Sequence, residues 1–190
     1  MMKPLIFVLL VLMMTGCAST KKTHIVKEKD TKALDELISS KSFEINSQWA
    51  QPQLSNTMVQ LGNAGLFPAG SNAGNINLIG NSNFLKMEGD RVQAFLPYYG
   101  ERQMGGAYNN NKTGIEFDGI PIDLEITKEK KESYEINFNI SDKYSPNEIY
   151  RVMIQIFPNL TSTITINSSQ RFPIRYRGRA KIIEKNEEQI

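Results

Sequence analysis

The sequence predicts an all-β fold, an antiparallel β-sandwich or barrel of about 8–10 strands. Apolar residues recur at every second position in several runs after residue 114, which is the period of a strand with one buried and one wet face. Turn formers separate the runs, including Gly89-Asp90 and the asparagine-rich stretches 72–83 and 109–111, where short polar side chains satisfy a turning backbone. Only one short segment has helical spacing, so no alternation of strands and helices points to a parallel sheet.

The chain opens with a segment whose purpose is transport. Lys3 supplies a positive start, residues 5–14 are uniformly apolar, and Thr15-Gly16 are small enough for a signal peptidase. Ten helical residues rise only about 15 Å, half of a hydrocarbon core. Residues 1–16 are therefore expected as a signal peptide, and the sequence Met14-Thr15-Gly16-Cys17 resembles the lipobox of bacterial lipoproteins. That resemblance implies cleavage before Cys17, transfer of a diacylglycerol to its thiol and of a further fatty acyl chain to its freed amine, palmitate among the chains. Two long acyl chains contribute on the order of 20 kcal/mol of membrane affinity. Ala18 after the cysteine, where the family's inner-membrane members carry Asp, implies the outer membrane, facing the periplasm.

Residues 17–30 read as a lipidated tether, polar and lysine-rich without apolar periodicity. About thirteen such residues reach at most roughly 45 Å, so the domain is expected close to the membrane. Asp30 or Thr31 then caps a short helix that puts Ala33, Leu34, Leu37 and Ile38 on one face. This helix opens a single all-β domain over residues 31–185, and residues 186–190 form a polar tail.

Four strands are well patterned. Tyr134, Ile136, Phe138 and Ile140 share one parity, as do Tyr150, Val152, Ile154 and Ile156, then Ile164 and Ile166. Ile120, Ile122, Leu124 and Ile126 form the fourth, in the opposite parity to Ile115 and Phe117, so a bulge or bend is expected near Gly119. Weaker strands are expected at residues 42–47, 58–61, 75–79, 83–88 and 91–96, with a tight hairpin at Gly89-Asp90.

Composition narrows the chemistry. A formal charge of +2 gives no basic footprint for nucleic acid. His24, the one histidine, lies in the tether, and Cys17, the one cysteine, is committed to acylation. Metal, haem and histidine-assisted nucleophile schemes therefore lack parts, and no cofactor is expected. Glu116, Asp118, Asp123, Glu125 and Glu135 take outward parities and read as solvated surface.

Two features invite a binding role. The first is the loop Leu96-Pro97-Tyr98-Tyr99-Gly100-Glu101-Arg102 with Tyr108 beyond it, whose tyrosines offer flat amphipathic faces. Packing beneath a turn is the simpler account of them. The second is a basic strip, Arg175, Arg177, Arg179 and Lys181, alternating with Ile174, Tyr176, Ala180 and Ile182. It suits an acidic partner, or else pairs across strands with the acids of residues 116–125, at about 0.2–1 kcal/mol per pair.

Leu96-Pro97-Tyr98-Tyr99-Gly100, residues 114–117, and Arg171 with Ile174, Tyr176 and Gly178 resemble the lipoprotein family catalogued as domain of unknown function 4251. The likeness spans about residues 33–184, with Tyr99 where a Phe is expected. It implies exported lipoproteins of bacteroidetes and brings no activity or ligand with it. The functional expectation is a non-enzymatic, membrane-anchored periplasmic module that binds an envelope protein or glycan. Two alternatives remain at this point: a barrel-pocket carrier for a small lipid or glycan, and an envelope hydrolase working with two carboxylates.

Overall fold

The computed structural model describes residues 28–103 and 114–183. Cys17, His24, Tyr108, the signal segment, most of the tether and the tail at 186–190 lie outside the described residues.

Helix α1 (Glu28–Ser40) begins before the expected cap and buries Leu34, Leu37 and Ile38, the face that the i, i+3, i+4 spacing marks. Strand β1 (Ser42–Pro52) follows, and then helix α2 (Asn56–Asn63), which corrects the expected strand at 58–61. Ser55 caps it with its side chain accepting from the Met58 amide at 3.2 Å, and only Met58 of the helix is buried. An N-cap serine outweighs so short an apolar run, whose spacing does not distinguish helix from strand.

The remaining strands are β2 (Ile76–Asn77), β3 (Phe84–Glu88), β4 (Arg91–Leu96), β5 (Ile115–Gly119), β6 (Ile122–Lys128), β7 (Tyr134–Ser141), β8 (Ile149–Ile156), β9 (Thr161–Ser168) and β10 (Ile174–Ile182). β2 is shorter than expected because the Asn77 side chain accepts from the Ile79 amide and turns the chain out of the ladder. The hairpin at Gly89-Asp90 is present, with Glu88 paired to Arg91.

All pairings are antiparallel, in the order β5-β4-β3-β1-β10-β9-β8-β7-β6 with β2 beside β1. The ten strands make one curled sheet, a half-barrel. β5 and β6 are consecutive in the chain yet lie at opposite ends of that order. Two residues join them, so their facing ends lie within about 11 Å. The sheet therefore has to curl. Across the gap Lys143 N donates to Glu116 O at 2.8 Å, and the Phe117 and Phe138 rings meet edge to face at 6.1 Å.

The inner face is filled by side chains from both halves and from α1. Phe43, Ile45, Leu85, Phe117, Phe138 and Ile154 are among the fully buried members of one continuous cluster. At about 1.5–3 kcal/mol for each large apolar side chain, this cluster is the main driving term for folding.

β6 departs from its expected parity. Ile120 and Ile122 are 76% and 65% exposed, whereas Leu124 and Ile126 pack partly against the core. The bulge expected near Gly119 sits slightly later, between Ile122 and Glu125, where Asp123 has φ of +54°. One extra residue reverses the faces, so Ile122 shares the outer face with its partner Asn139.

Candidate functional site

The tyrosine-rich loop is built inward. Gly100, at φ +150°, lets the chain fold back so that the Tyr98 ring lies over it; a Cβ there would sit 2.7 Å from the Tyr98 hydroxyl. That hydroxyl shares its proton between the carbonyls of Glu101 and Phe172, at 2.9 and 3.0 Å. Burial pushes its pKa up to about 12, against the opposing charge of Arg171, whose guanidinium lies 5.2 Å from the ring centre. Tyr99 is half-buried, which raises its pKa too. The segment runs alongside residues 170–172, with Gln103 N donating to Gln170 O and Phe172 N to Glu101 O. Tyr176, fully buried on β10, donates to Pro97 O at 2.9 Å.

Beneath this loop lies an ion-pair cluster. Glu148 is 0% exposed. It accepts from Arg171 Nε at 2.7 Å and Nη2 at 3.2 Å, from Arg102 Nη2 at 2.8 Å and from Ser168 Oγ at 2.7 Å. Burial alone would raise the Glu148 pKa; the hydrogen bonds from Arg171 and Ser168 and the two arginine charges win and hold it below the ordinary range. Arg171 Nη1 also donates to Gly114 O at 2.8 Å, which ties β5 to the same knot. Beside it Asp142 accepts from Tyr150 Oη at 2.7 Å and from the amides of Tyr144 and Ser145. Burial and that carboxylate raise the Tyr150 pKa far above its usual value.

Among the expected loop residues, then, Tyr98 and Arg102 are drawn into a clamp between strand ends, and Glu101 contributes its backbone carbonyl. Glu148, Asp142 and Ser168 were not singled out from sequence. Glu148 carried a signal: it continues the inward parity of Tyr150, Val152 and Ile154, so an acid was due inside. Both buried carboxylates are saturated by donors. Among the described residues no group of three or more His, Cys, Asp and Glu is placed to hold a metal.

The basic strip lies on the outer face of β10, as its parity requires, with Arg175, Arg177, Arg179 and Lys181 all exposed. Its surroundings correct the expectation of acidic cross-strand partners at 116–125. β10 sits between β1 and β9 in the middle of the sheet, whereas β5 and β6 are its two edges. Arg175 faces Gln51 and Thr165, and Arg177 faces Trp49 and Thr163. Lys181 pairs with Glu44 at 3.4 Å and Arg179 donates to Asn159 O at 3.1 Å. The side chains of Arg175 and Arg177 have no hydrogen bond or ion pair among the described residues.

A bulge in β1 between Ser47 and Trp49 shapes this face. It turns the Trp49 side chain outward beside Arg177. Gly178 makes the bulge feasible, because a Cβ there would collide with the Asn46 carbonyl and the Ser47 backbone. Two open hollows result. One of about 490 Å³ is lined by Gln51, Met153, Gln155, Thr163, Thr165, Arg175 and Arg177. The other, of about 420 Å³, is lined by Gln48, Trp49, Phe157, Asn159, residues 161–163 and residues 177–179. They share Thr163 and Arg177, and among the described residues no acid lines either.

Comparison with known proteins places this architecture. No curated protein matches the chain. A crystal structure of a DUF4251 family protein from Bacteroides eggerthii aligns with a TM-score of 0.51 at 13% identity, covering 80% of this chain and 87% of that one. At that identity the likeness is one of fold. The family profile described as domain of unknown function (DUF4251) matches residues 26–180. Since the match runs through most of the sequence, from the approach to α1 to the end of the core strands, the chain belongs to the DUF4251 family.

Proposed function

We propose that this protein is an exported bacterial lipoprotein, acylated at Cys17 and held at the outer membrane facing the periplasm, whose β-domain binds an envelope component without turning it over. The contact surface is the outer face of β10, not the tyrosine-rich loop. One observation carries this reading: Arg175 and Arg177 stand unpaired beside Trp49 in an acid-free trough. The loop's hydroxyl and guanidinium groups are instead spent on internal bonds. Exposed side chains that stabilise nothing within the fold are available to a partner, and arginine and tryptophan dominate binding hot spots. The inner face, where a small-ligand carrier would need its pocket, is packed with side chains.

The test uses the full chain, expressed with labelled palmitate and recovered in detergent. Label on the wild type that disappears in Cys17→Ser supports the anchor; an unmodified, alkylatable Cys17 overturns it. The same preparation is incubated with isolated peptidoglycan, envelope polysaccharide and envelope protein fractions. Retention lost on Arg175→Glu with Arg177→Glu supports the binding face, and undiminished retention overturns it.

A further inference from the structure

We propose that the outer-face trough is a site for an extended acidic polysaccharide, one whose sugar units carry carboxylates. The inference rests on the binding-face reading above and names its ligand class.

Three features of the trough converge on that chemistry. First, its charge is of one sign: Arg175, Arg177 and Arg179 contribute to the lining, and no Asp or Glu does. Glu44 neutralises Lys181 at one end, so the uncompensated positive charge of the strip is carried by Arg175, Arg177 and Arg179. Alternate residues of a strand repeat at roughly 7 Å, so the three guanidinium groups present themselves in series to one polyanion. Each is a planar fork that matches a carboxylate with two parallel hydrogen bonds.

Second, the rest of the lining suits sugar hydroxyls. Gln48 and Gln155 offer whole amides, Gln51 keeps its oxygen after donating to Asn75, Asn159 keeps its nitrogen after accepting from Thr161, and Thr163 and Thr165 offer hydroxyls between them. Such groups donate and accept at once, as a pyranose ring demands. Third, Trp49 and Phe157 lie in the second hollow. A partly exposed aromatic ring supplies a flat apolar surface for the C–H face of a sugar, next to polar edges.

The shape agrees. Two hollows joined at Thr163 and Arg177 run across β1, β10, β9 and β8, so a ligand filling both is a chain and not a single small molecule. Charge also runs out along β1: from Ile45 to Leu85 there is no Asp, Glu, Lys or Arg. That side of the trough neither repels nor competes for an anion. An acidic protein or an anionic bilayer would use the arginines but not Trp49 or the uncommitted amides of Gln48 and Gln155.

Calorimetric titration of the full chain in detergent decides between these. The probes are oligogalacturonate, the same oligomer fully methyl-esterified, poly-L-glutamate, and phosphatidylglycerol in mixed micelles with that detergent. The expected result is saturable binding of oligogalacturonate and none of its ester. Arg175→Ala with Arg177→Ala should weaken it at least tenfold, and Trp49→Leu likewise, with unchanged thermal unfolding of each variant. Absence of binding to oligogalacturonate overturns the proposal. So does binding of poly-L-glutamate or of the phosphatidylglycerol micelles with equal strength that Trp49→Leu leaves unaltered. If the charge-reversed protein still loses its envelope fraction while oligogalacturonate fails, the ligand class is wrong and the binding face stands.

Discussion

Neutralising Glu148 should cost this domain about 3 kcal/mol. The carboxylate is completely buried and receives four hydrogen bonds, at 2.7 to 3.2 Å, from Arg171, Arg102 and Ser168. Glu148→Gln preserves its shape and removes its charge. Stripping one partner from a buried ion pair costs about 3–5 kcal/mol, since the other charge stays out of water. The lower end applies because Arg102 keeps 31% of its side chain exposed and Arg171 retains the Gly114 carbonyl. For a domain of this size, 1 kcal/mol moves Tm by about 2–4 °C, so a fall of roughly 6–12 °C is expected. Urea unfolding followed by far-UV dichroism and by Trp49 fluorescence measures it. The pH profile is a second readout. With its folded pKa held below the ordinary carboxylate range, Glu148 stabilises the fold fully above that range, and its contribution fades as pH falls through the folded pKa. Glu148→Gln should therefore lose less on acidification than the wild type does. A loss under about 1 kcal/mol, or parallel acid limbs, would refute the assignment of this cluster as the clamp on the loop.

Two further substitutions probe the scaffold around the trough and the loop. Gly178→Ala should destabilise by about 2 kcal/mol or more, because the new methyl meets the β1 backbone and not a side chain that can swing aside; an unshifted urea midpoint would show the bulge at Trp49 to be looser than described. Tyr98→Phe should cost about 1–2 kcal/mol and speed hydrogen exchange at the Phe172 amide. Binding at the outer face should be unaffected by it.

How much of this was legible in the residues differs from element to element. Period two assigned β7, β8 and β9 and told which residues face inward, because alternation is a local consequence of the pleat. Helix α1 and the Gly89-Asp90 hairpin were equally local. α2 was missed because three apolar residues in a run of four fit either period. β6 was placed correctly but faced wrongly at Ile122, since a bulge can be anticipated from a parity conflict but not located to the residue.

The sites divide along the same line. Alternation alone established that Arg175, Arg177, Arg179 and Lys181 share one face, while Glu148, just before β8 on its inward parity, was not singled out from it. Only the tertiary structure decided that β10 lies between β1 and β9, far from the acids at the sheet edges, so that Trp49 and not a carboxylate neighbours Arg177. It alone brought Arg102, Glu148 and Arg171 together and turned the tyrosine loop into a clamp. The reason is physical: which way a side chain points is set by its own and its neighbours' backbone dihedrals, while which strands pair is set by the burial of one shared core, to which every segment contributes at once.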